Sequence, residues 1–274
     1  MLFMAIICVY PFIYVIFASI SKPSMLMAHS GLLYKPLGFE FAAYTAVMKH
    51  PMIAVGYKNT IMYVALGTAI NLIMTILGAF VLSRKKLYIK KFMTLMVVVT
   101  MFFSGGLIPQ YLLIKQIGLY DTIWALILPS AISVYNMLVL RTAFAGIPSE
   151  LEEAAKIDGA GDLTVLFRRI VPLSLSAIAV MVLFYGVAQW NSWFPAAMYL
   201  RDRAKYPLQL FLREILIYSN TDSMTTSAGS SDKFAISESL KYSSIIVSTL
   251  PILAIYPFLQ KYFVKGILIG GVKG

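Results

Sequence analysis

Long apolar stretches, each about 20 residues, recur along this chain with short polar segments between them. A helix of that length spans the hydrocarbon core of a bilayer. Backbone in hydrocarbon must satisfy its own hydrogen bonds, so such stretches fold as membrane helices. Six fit the requirement: Met1–Ser21, Asn59–Leu82, Phe92–Gln116, Thr122–Leu140, Ile170–Trp190 and Leu240–Phe263. The predicted fold class is all-α, a polytopic membrane protein with six transmembrane helices. Residues 1–274 read as a single transmembrane domain, since the spans take up roughly half of the chain and leave no room for a soluble catalytic domain.

Composition agrees. Hydrophobic residues make up 59% and charged residues 13%. A soluble domain carries about a quarter charged residues. A soluble enzyme, a disordered chain and a disulfide scaffold are excluded. The net charge is +11. The basic residues sit in short blocks between apolar runs, which is the pattern of membrane topology and not of nucleic-acid binding. Cys8 is the single cysteine, and His29 and His50 lack partners at ligand spacing. No disulfide forms within the chain, and no metal site is expected.

Met1–Ser21 has no basic lead-in and no A-x-A site, so it reads as a retained helix and not a cleaved leader. The natural N-terminus is expected upstream. Arg84, Lys85, Lys86, Lys90 and Lys91 form the densest basic loop and place it in the cytoplasm. Both termini then fall inside, with a cytoplasmic tail at 265–274. Segments 22–58 and 201–238 lie outside, the first an ordered loop, the second with a mobile Ser/Thr/Gly-rich portion, Thr221–Ser231. Gly105, Gly106 and Pro109 interrupt the third span, and Pro129 is expected to kink the fourth.

The inner segment 141–170 carries the informative pattern. Pro148-Ser149-Glu150-Leu151-Glu152-Glu153 reads as a helix start. Ser149 is the predicted N-cap and Glu152 the N3 partner of a capping box. Ala154 and Ala155 follow, with Leu151 placed on their face, and Gly159 is positioned to end the helix in a left-handed conformation. Asp162 offers a second N-cap, for a helix running through Arg168 and Arg169 to Pro172. Small residues beside carboxylates suit a helix that lies in a groove of a cytoplasmic partner, pairing with its Arg or Lys.

Glu153-Ala154-Ala155, Gly159 and, thirteen positions later, Pro172 resemble the EAA loop of ABC importer permeases. Ala155-Lys156-Ile157-Asp158-Gly159-Ala160 is similar to the carbohydrate-uptake members. One departure is Arg169, where the family places an aliphatic residue three positions before the proline; Ile170 is the neighbouring substitute. Gly118-Leu119-Tyr120-Asp121-Thr122-Ile123-Trp124-Ala125 looks like the family's entry to its fourth helix, and the end of the chain from Lys261 looks like that of permeases importing complex oligosaccharides.

The resemblance implies a type I ABC importer permease fold and a maltose-permease-like subunit in a heterodimer with a second permease. Two cytoplasmic ATPase subunits would bind ATP and Mg, and an extracytoplasmic sugar-binding protein would deliver an oligosaccharide. Glu152, Glu153, Ala154, Ala155, Asp158, Gly159 and Pro172 would couple to the ATPase. The chain lacks a G-x-x-x-x-G-K-[ST] phosphate loop and is expected to bind no cofactor itself. Ser104-Gly105-Gly106 is only superficially like an ATPase signature, and in an apolar span it reads as a kink or a close helix contact. The alternative cargo for the same superfamily is amino acids, peptides or ions. An intramembrane enzyme lacks the paired acids or nucleophile it would need, and a stand-alone channel has no use for a docking helix.

Polar side chains in a membrane face a cavity or another helix. Tyr135 and Asn136 are candidates for the sugar path, with interhelical hydrogen bonding as the competing role. Gln189, Trp190 and Asn191 are the second set, with an interfacial aromatic belt as the alternative. Asn59 and Asn71 are weaker. Arg201, Arg203 and Arg213 are candidates to meet acidic groups on the binding protein or on an acidic sugar, against a solvated loop.

Overall fold

A computed structural model describes residues 2–84, 88–225, 239–255 and 257. Lys85 and Lys86, the 226–231 portion of the Ser/Thr/Gly-rich stretch, the end of the sixth span and the tail from 265 lie outside the described residues. In chain order the helices are α1 (Leu2–Ile20), α2 (Pro23–Ala28), α3 (Ala42–Lys49), α4 (Pro51–Ser83), α5 (Lys90–Phe102), α6 (Leu107–Gln116) and α7 (Trp124–Ile127). Then come α8 (Val134–Ala145), α9 (Ser149–Ile157), α10 (Asp162–Val165), α11 (Val171–Leu173), α12 (Leu175–Trp190), α13 (Phe194–Tyr199), α14 (Leu208–Thr225) and α15 (Ser239–Ile255). Among the described residues there is no strand.

α1 and α4 are each long and apolar enough to cross a membrane. Three further spans are broken. α5 and α6 meet at 106°. The sequence predicts an interrupted span, and the break turns the chain by more than a right angle. Gly106 sits at φ +88°, where a side chain is strained, and Pro109 lacks an N–H. The fourth span bends by 50° between Trp124–Ser130 and Val134–Ala145, at the turn that contains Pro129. Its second half runs to Ala145, past the expected end at Leu140, and Ser133 caps it by accepting the Asn136 N–H at 3.4 Å. The fifth bends by 87° between Asp162–Leu173 and Leu175–Trp190. The span expected over Ile170–Trp190 is therefore corrected: it is unbroken helix only from Leu175, because the chain turns at Ser174 just after Pro172.

Two other expectations are corrected. Segment 22–58 contains α2, α3 and the first turns of α4, which begins at Pro51 and not at Asn59. Proline at a first helical position costs no hydrogen bond and presets φ. In the 201–238 segment, residues 203–205 form a short turn of 3-10 helix and Leu208–Thr225 is α14, so the first part of the Ser/Thr/Gly-rich portion, Thr221–Thr225, is helical.

The chain divides into two compact units. The first comprises Met1–Thr60 and Asp202–Ile255. Ala18, Leu26 and Leu33 form a buried cluster with Tyr14, Phe17, Leu37 and Tyr242 against it. Small polar groups bind backbone here: the Ser21 hydroxyl accepts the Leu37 N–H at 3.0 Å, and the Tyr10 hydroxyl accepts that of Leu33 at 2.9 Å. Asn59 donates to the carbonyls of Ala204 (2.7 Å) and Tyr206 (3.0 Å), and Thr60 accepts the Leu208 N–H at 2.9 Å. Asn59 thus holds a loop in place.

The second unit comprises Ile61–Arg201 and Tyr256–Gly274. Its core joins α4 (Ile76, Ala79, Phe80), α8 (Met137, Leu140, Phe144) and α12 (Met181, Tyr185) to Ala155, Val165, Leu166 and Ile170 of the 141–170 loop. Thr75 and Tyr185 share a hydroxyl hydrogen bond of 2.6 Å, and Tyr185 also accepts the Ser133 N–H at 3.2 Å. This polar contact lies at the break of the fourth span, where a backbone N–H is freed.

Candidate functional site: the 141–170 loop and its anchor

α9 is a nine-residue amphipathic helix whose two ends are fixed differently. Its C-terminus closes as predicted. Gly159 takes φ +79°, its N–H donates to the Lys156 carbonyl at 3.0 Å, and the Ala160 N–H donates to the Ala155 carbonyl at 2.9 Å. That pair of bonds is the Schellman arrangement, which needs a left-handed residue at this position.

The N-terminus does not form the capping box. Pro148 is the N-cap residue, Ser149 is the first helical residue, and no side-chain cap bond is made. The reason is the use of Glu152. Its carboxylate is engaged by Arg84, at the end of α4, and by Lys156 one turn on, at 2.9 Å. A carboxylate held by two cations does not turn back to its own N-terminus. Asp162 fails as an N-cap for the same kind of reason: Gly161 is the capping position, and the Asp162 carboxylate pairs with Lys156 at 3.1 Å.

Arg84 is itself oriented. Its guanidinium donates to the Ser83 hydroxyl through Nε (3.0 Å) and a terminal nitrogen (2.8 Å), and lies 4.7 Å from the Phe80 ring centroid. Burial pushes the Glu152 pKa up, but the Lys156 hydrogen bond and the Arg84 charge outweigh it and hold the carboxyl below its ordinary value. Lys156 is shifted up, first by its hydrogen bond to Glu152 and then by the one to Asp162. Beside this network lies a cleft of about 380 Å³ lined by Ser83, Arg84, Phe144, Ile147, Glu153 and Asp162, among others.

The predicted coupling residues therefore separate. Ala155 is buried in the unit's own core, whereas Ala154, Leu151 and Ile157 are exposed. Leu151 lies one turn before both alanines and borders the face they share, with Ala155 on its buried side and Ala154 on its exposed side. Glu150, Glu153 and Asp158 are exposed with Ala154 and Ile157, and Glu152 is the acidic residue turned in. Beyond Asp162, residues 166–170 make a π turn. One extra residue per turn shifts the helical phase. Ile170 is thereby buried while Arg168 and Arg169 are exposed, which resolves the departure at Arg169. Pro172 follows on the exposed side.

The candidate path residues differ in exposure and in partners. Asn136 is buried, but its neighbour Tyr135 is 55% exposed. Gln189 donates to the Ser130 hydroxyl at 3.4 Å and lies where a side chain at Gly67 would go, 2.8 Å from a built Cβ. Trp190 is buried inside the unit and not displayed as a belt residue. Asn191 donates to the Val187 carbonyl at 3.0 Å, a local helix-end bond. Asn71 is buried as well.

Of the three arginines, Arg203 and Arg213 belong to the first unit and Arg201 to the second. Arg203 is paired with Glu214 on α14. Arg201 joins a group that sequence reasoning missed. Its backbone N–H donates to the Asp121 carboxylate at 3.0 Å, its Nε donates to the Tyr120 hydroxyl at 3.1 Å, and its guanidinium stands 5.5 Å from the Tyr120 ring centroid. The Asp121 N–H donates to the Tyr199 carbonyl at 2.8 Å, and Tyr111 meets Tyr120 edge-on and stacks on Tyr199. The three tyrosines lie in three separate segments of the chain. The left-handed Asp121, φ +58°, is the local feature that draws them together, and only the Gly118–Asp121 turn hinted at it.

A helical fold of broken spans with a closed helix–glycine–helix loop defines a transport permease. The chain belongs to the family described as the inner membrane component of binding-protein-dependent transport systems, whose model matches residues 88–269. It is similar to the polygalacturonan/rhamnogalacturonan transport system permease protein YtcP of Bacillus subtilis, 42% identical over 274 residues, covering all of this chain and 96% of that one. It is also 40% identical to protein LplC of the same organism over 270 residues, 98% of this chain and 90% of the other. Among solved structures it resembles a bacterial ABC transporter involved in the import of the acidic polysaccharide alginate, with a TM-score of 0.84, 29% identity, and coverage of 95% and 92% of the two chains. The family expected from the loop motif is the family found, and the fold is that of an ABC importer permease.

Proposed function

We propose that this chain is the transmembrane subunit of an ATP-driven importer that takes its cargo from an extracytoplasmic binding protein, and that the cargo is an oligosaccharide. The observation that carries the reading is the loop: α9 is fixed at Glu152 and Gly159 while Glu153, Ala154 and Ile157 face outward. An exposed acidic and apolar helix face on a rigid base suits a groove on a partner ATPase. The likeness to the polygalacturonan/rhamnogalacturonan permease over the whole chain supports the sugar cargo.

In this reading residues 1–274 are one permease domain, paired with a second permease. Two ATPase subunits hold ATP and Mg and perform the hydrolysis, and both termini lie in the cytoplasm. ATP-driven closure of the ATPases moves α9, and with it the core it is packed into. Amino acids, peptides or ions are the alternative cargo.

The test is isolation followed by reconstitution. A tagged chain taken mildly from its native membrane is expected to bring a second permease, an ATPase and a sugar-binding protein. The assembly in liposomes is expected to take up oligosaccharide only with ATP. Recovery of the chain alone from several detergents, or uptake of amino acids and not sugars, would overturn the corresponding half of the proposal.

A further inference from the structure

Arg201 shares the lack of a carboxylate partner among the described residues with Arg168 and Arg169, but unlike them it is held by a tyrosine. Lys156, Arg84, Arg203 and Lys205 each lie within 4.0 Å of a carboxylate, whereas the Arg201 guanidinium has no carboxylate partner among the described residues. It is exposed, yet it is held at Nε by the Tyr120 hydroxyl, against the Tyr120 ring, and at its backbone by Asp121. The support is itself tied down. The Tyr111 and Tyr120 hydroxyls are hydrogen-bonded, Tyr111 stacks on the buried Tyr199, and Asp121 is fixed in a left-handed conformation by the Tyr199 carbonyl. Lys115 adds positive charge near Tyr120.

A guanidinium with Nε occupied presents its two terminal nitrogens as a fork. That fork matches a carboxylate in two parallel hydrogen bonds. Holding it in advance lowers the ordering cost of binding. The tyrosine hydroxyls and ring edges beside it offer hydrogen bonds and apolar contact to the sugar that bears the carboxylate. A protein carboxylate would need the fork alone.

We propose that Arg201, supported by Tyr120 and flanked by Tyr111 and Lys115, is a binding station for the carboxylate of an acidic, uronate-type sugar. It lies in the segments that the basic-loop topology places outside, Ile117–Asp121 and the start of 201–238. It rests on the importer reading and specifies its cargo as acidic oligosaccharide. Two proteins similar to this chain, one named for polygalacturonan transport and one solved as an importer of an acidic polysaccharide, fit that charge.

The experiment uses the whole importer in nanodiscs, with 3-fluorotyrosine incorporated. The Tyr120 fluorine signal is assigned by its absence in Tyr120→Phe. Trigalacturonate, without binding protein, is expected to shift that signal, and its methyl ester to leave it in place. Arg201→Gln is expected to raise the half-saturating concentration about tenfold or more, the effect of losing hydrogen bonds to a charged group. Arg201→Lys, which keeps the charge but not the fork, is expected to fall between and shows that the fold survives. No response to trigalacturonate, an equal response to the ester, or an unchanged half-saturation in Arg201→Gln would overturn the station. So would a shift produced only by the binding protein, which would make Arg201 a docking contact. Sugar uptake by the native assembly is measured separately. Its absence would sink the importer reading whatever Tyr120 does.

Discussion

Glu152 is met by two cations, Arg84 and Lys156, whereas the Arg201 guanidinium is met by a tyrosine hydroxyl and ring and by no carboxylate among the described residues. Both groups sit in the second unit, and both are held rigidly. In the loop, charge is neutralised within the chain, so the network works as a fastening and the outward face is left to Glu150 and Glu153. At Arg201, charge is held ready without being neutralised, which is the condition for reading an external anion. A half-buried, fully paired ion is a structural device, while a preorganised, uncompensated one is a binding device.

The largest expected effect breaks the fastening at its glycine. Gly159→Pro demands φ near −65° where the chain has +79°, and removes the N–H that donates to Lys156. Transport is expected to be lost, with local destabilisation of about 3 kcal/mol or more. Gly159→Ala is expected to cost only about 1 kcal/mol, since a Cβ there meets nothing within 4 Å and the penalty is conformational alone. Comparable loss of uptake in the two variants would show that the turn conformation is not what matters. Glu153→Lys tests the outward face by itself. It is expected to abolish transport while the protein stays in the membrane at its normal level, because Glu153 is exposed and makes no ion pair among the described residues. Normal uptake would remove the docking role of that face.

A charge exchange probes the fastening next. Arg84→Glu and Glu152→Arg each place like charges together, and each is expected to cost about 2 kcal/mol locally and to reduce uptake. The double variant restores the opposite-charge pair and is expected to recover part of the loss. Recovery is incomplete because Arg at 152 would face Lys156. Additive losses in the double variant would show that the two residues do not act through each other.

What was legible in the chain follows from which forces are local. Spans declare themselves by apolar length, and Gly159 by its place after the acidic turn, because a left-handed helix end favours glycine. The breaks were marked by Gly105-Gly106 and Pro129, yet their angles depend on what the two halves are packed against. The capping box was misread because its local rule was right and a distant competitor won: Arg84, 68 positions before Glu152, takes the carboxylate. The phase of Ile170 was hidden by the π turn at 166–170, which has no sequence signature. Tyr111, Tyr120 and Tyr199 were invisible as a group because long-range aromatic contacts leave no periodicity to read.

The smallest expected effect is in acid, and it sharpens the same contrast. The Glu152 pKa is lowered from 4.5 in the native chain: burial raises it, and the Lys156 hydrogen bond with the Arg84 charge more than reverses that. A carboxyl depressed on folding contributes stability that is fully present above its unfolded value and is lost as pH falls through the lower native one. The contribution should therefore be flat from neutral pH down to about 4.5 and disappear below it. Lys156 runs the other way, since its pKa is raised from 10.5: its contribution is present below that value and is lost as pH rises through the higher native one. Its side chain is 47% exposed, so solvent screens most of that effect. Thermal unfolding of the nanodisc-embedded importer between pH 7 and the acid range reads the first prediction. Glu152→Gln is expected to lower the midpoint at pH 7 and to flatten the acid decline, because the group that titrates is gone. Arg201→Gln, which removes no neutralised pair, is expected to leave the decline parallel to that of the native chain. An acid decline equally steep in Glu152→Gln would mean that the fastening is carried by Lys156 and Asp162, and that Arg84 is a bystander.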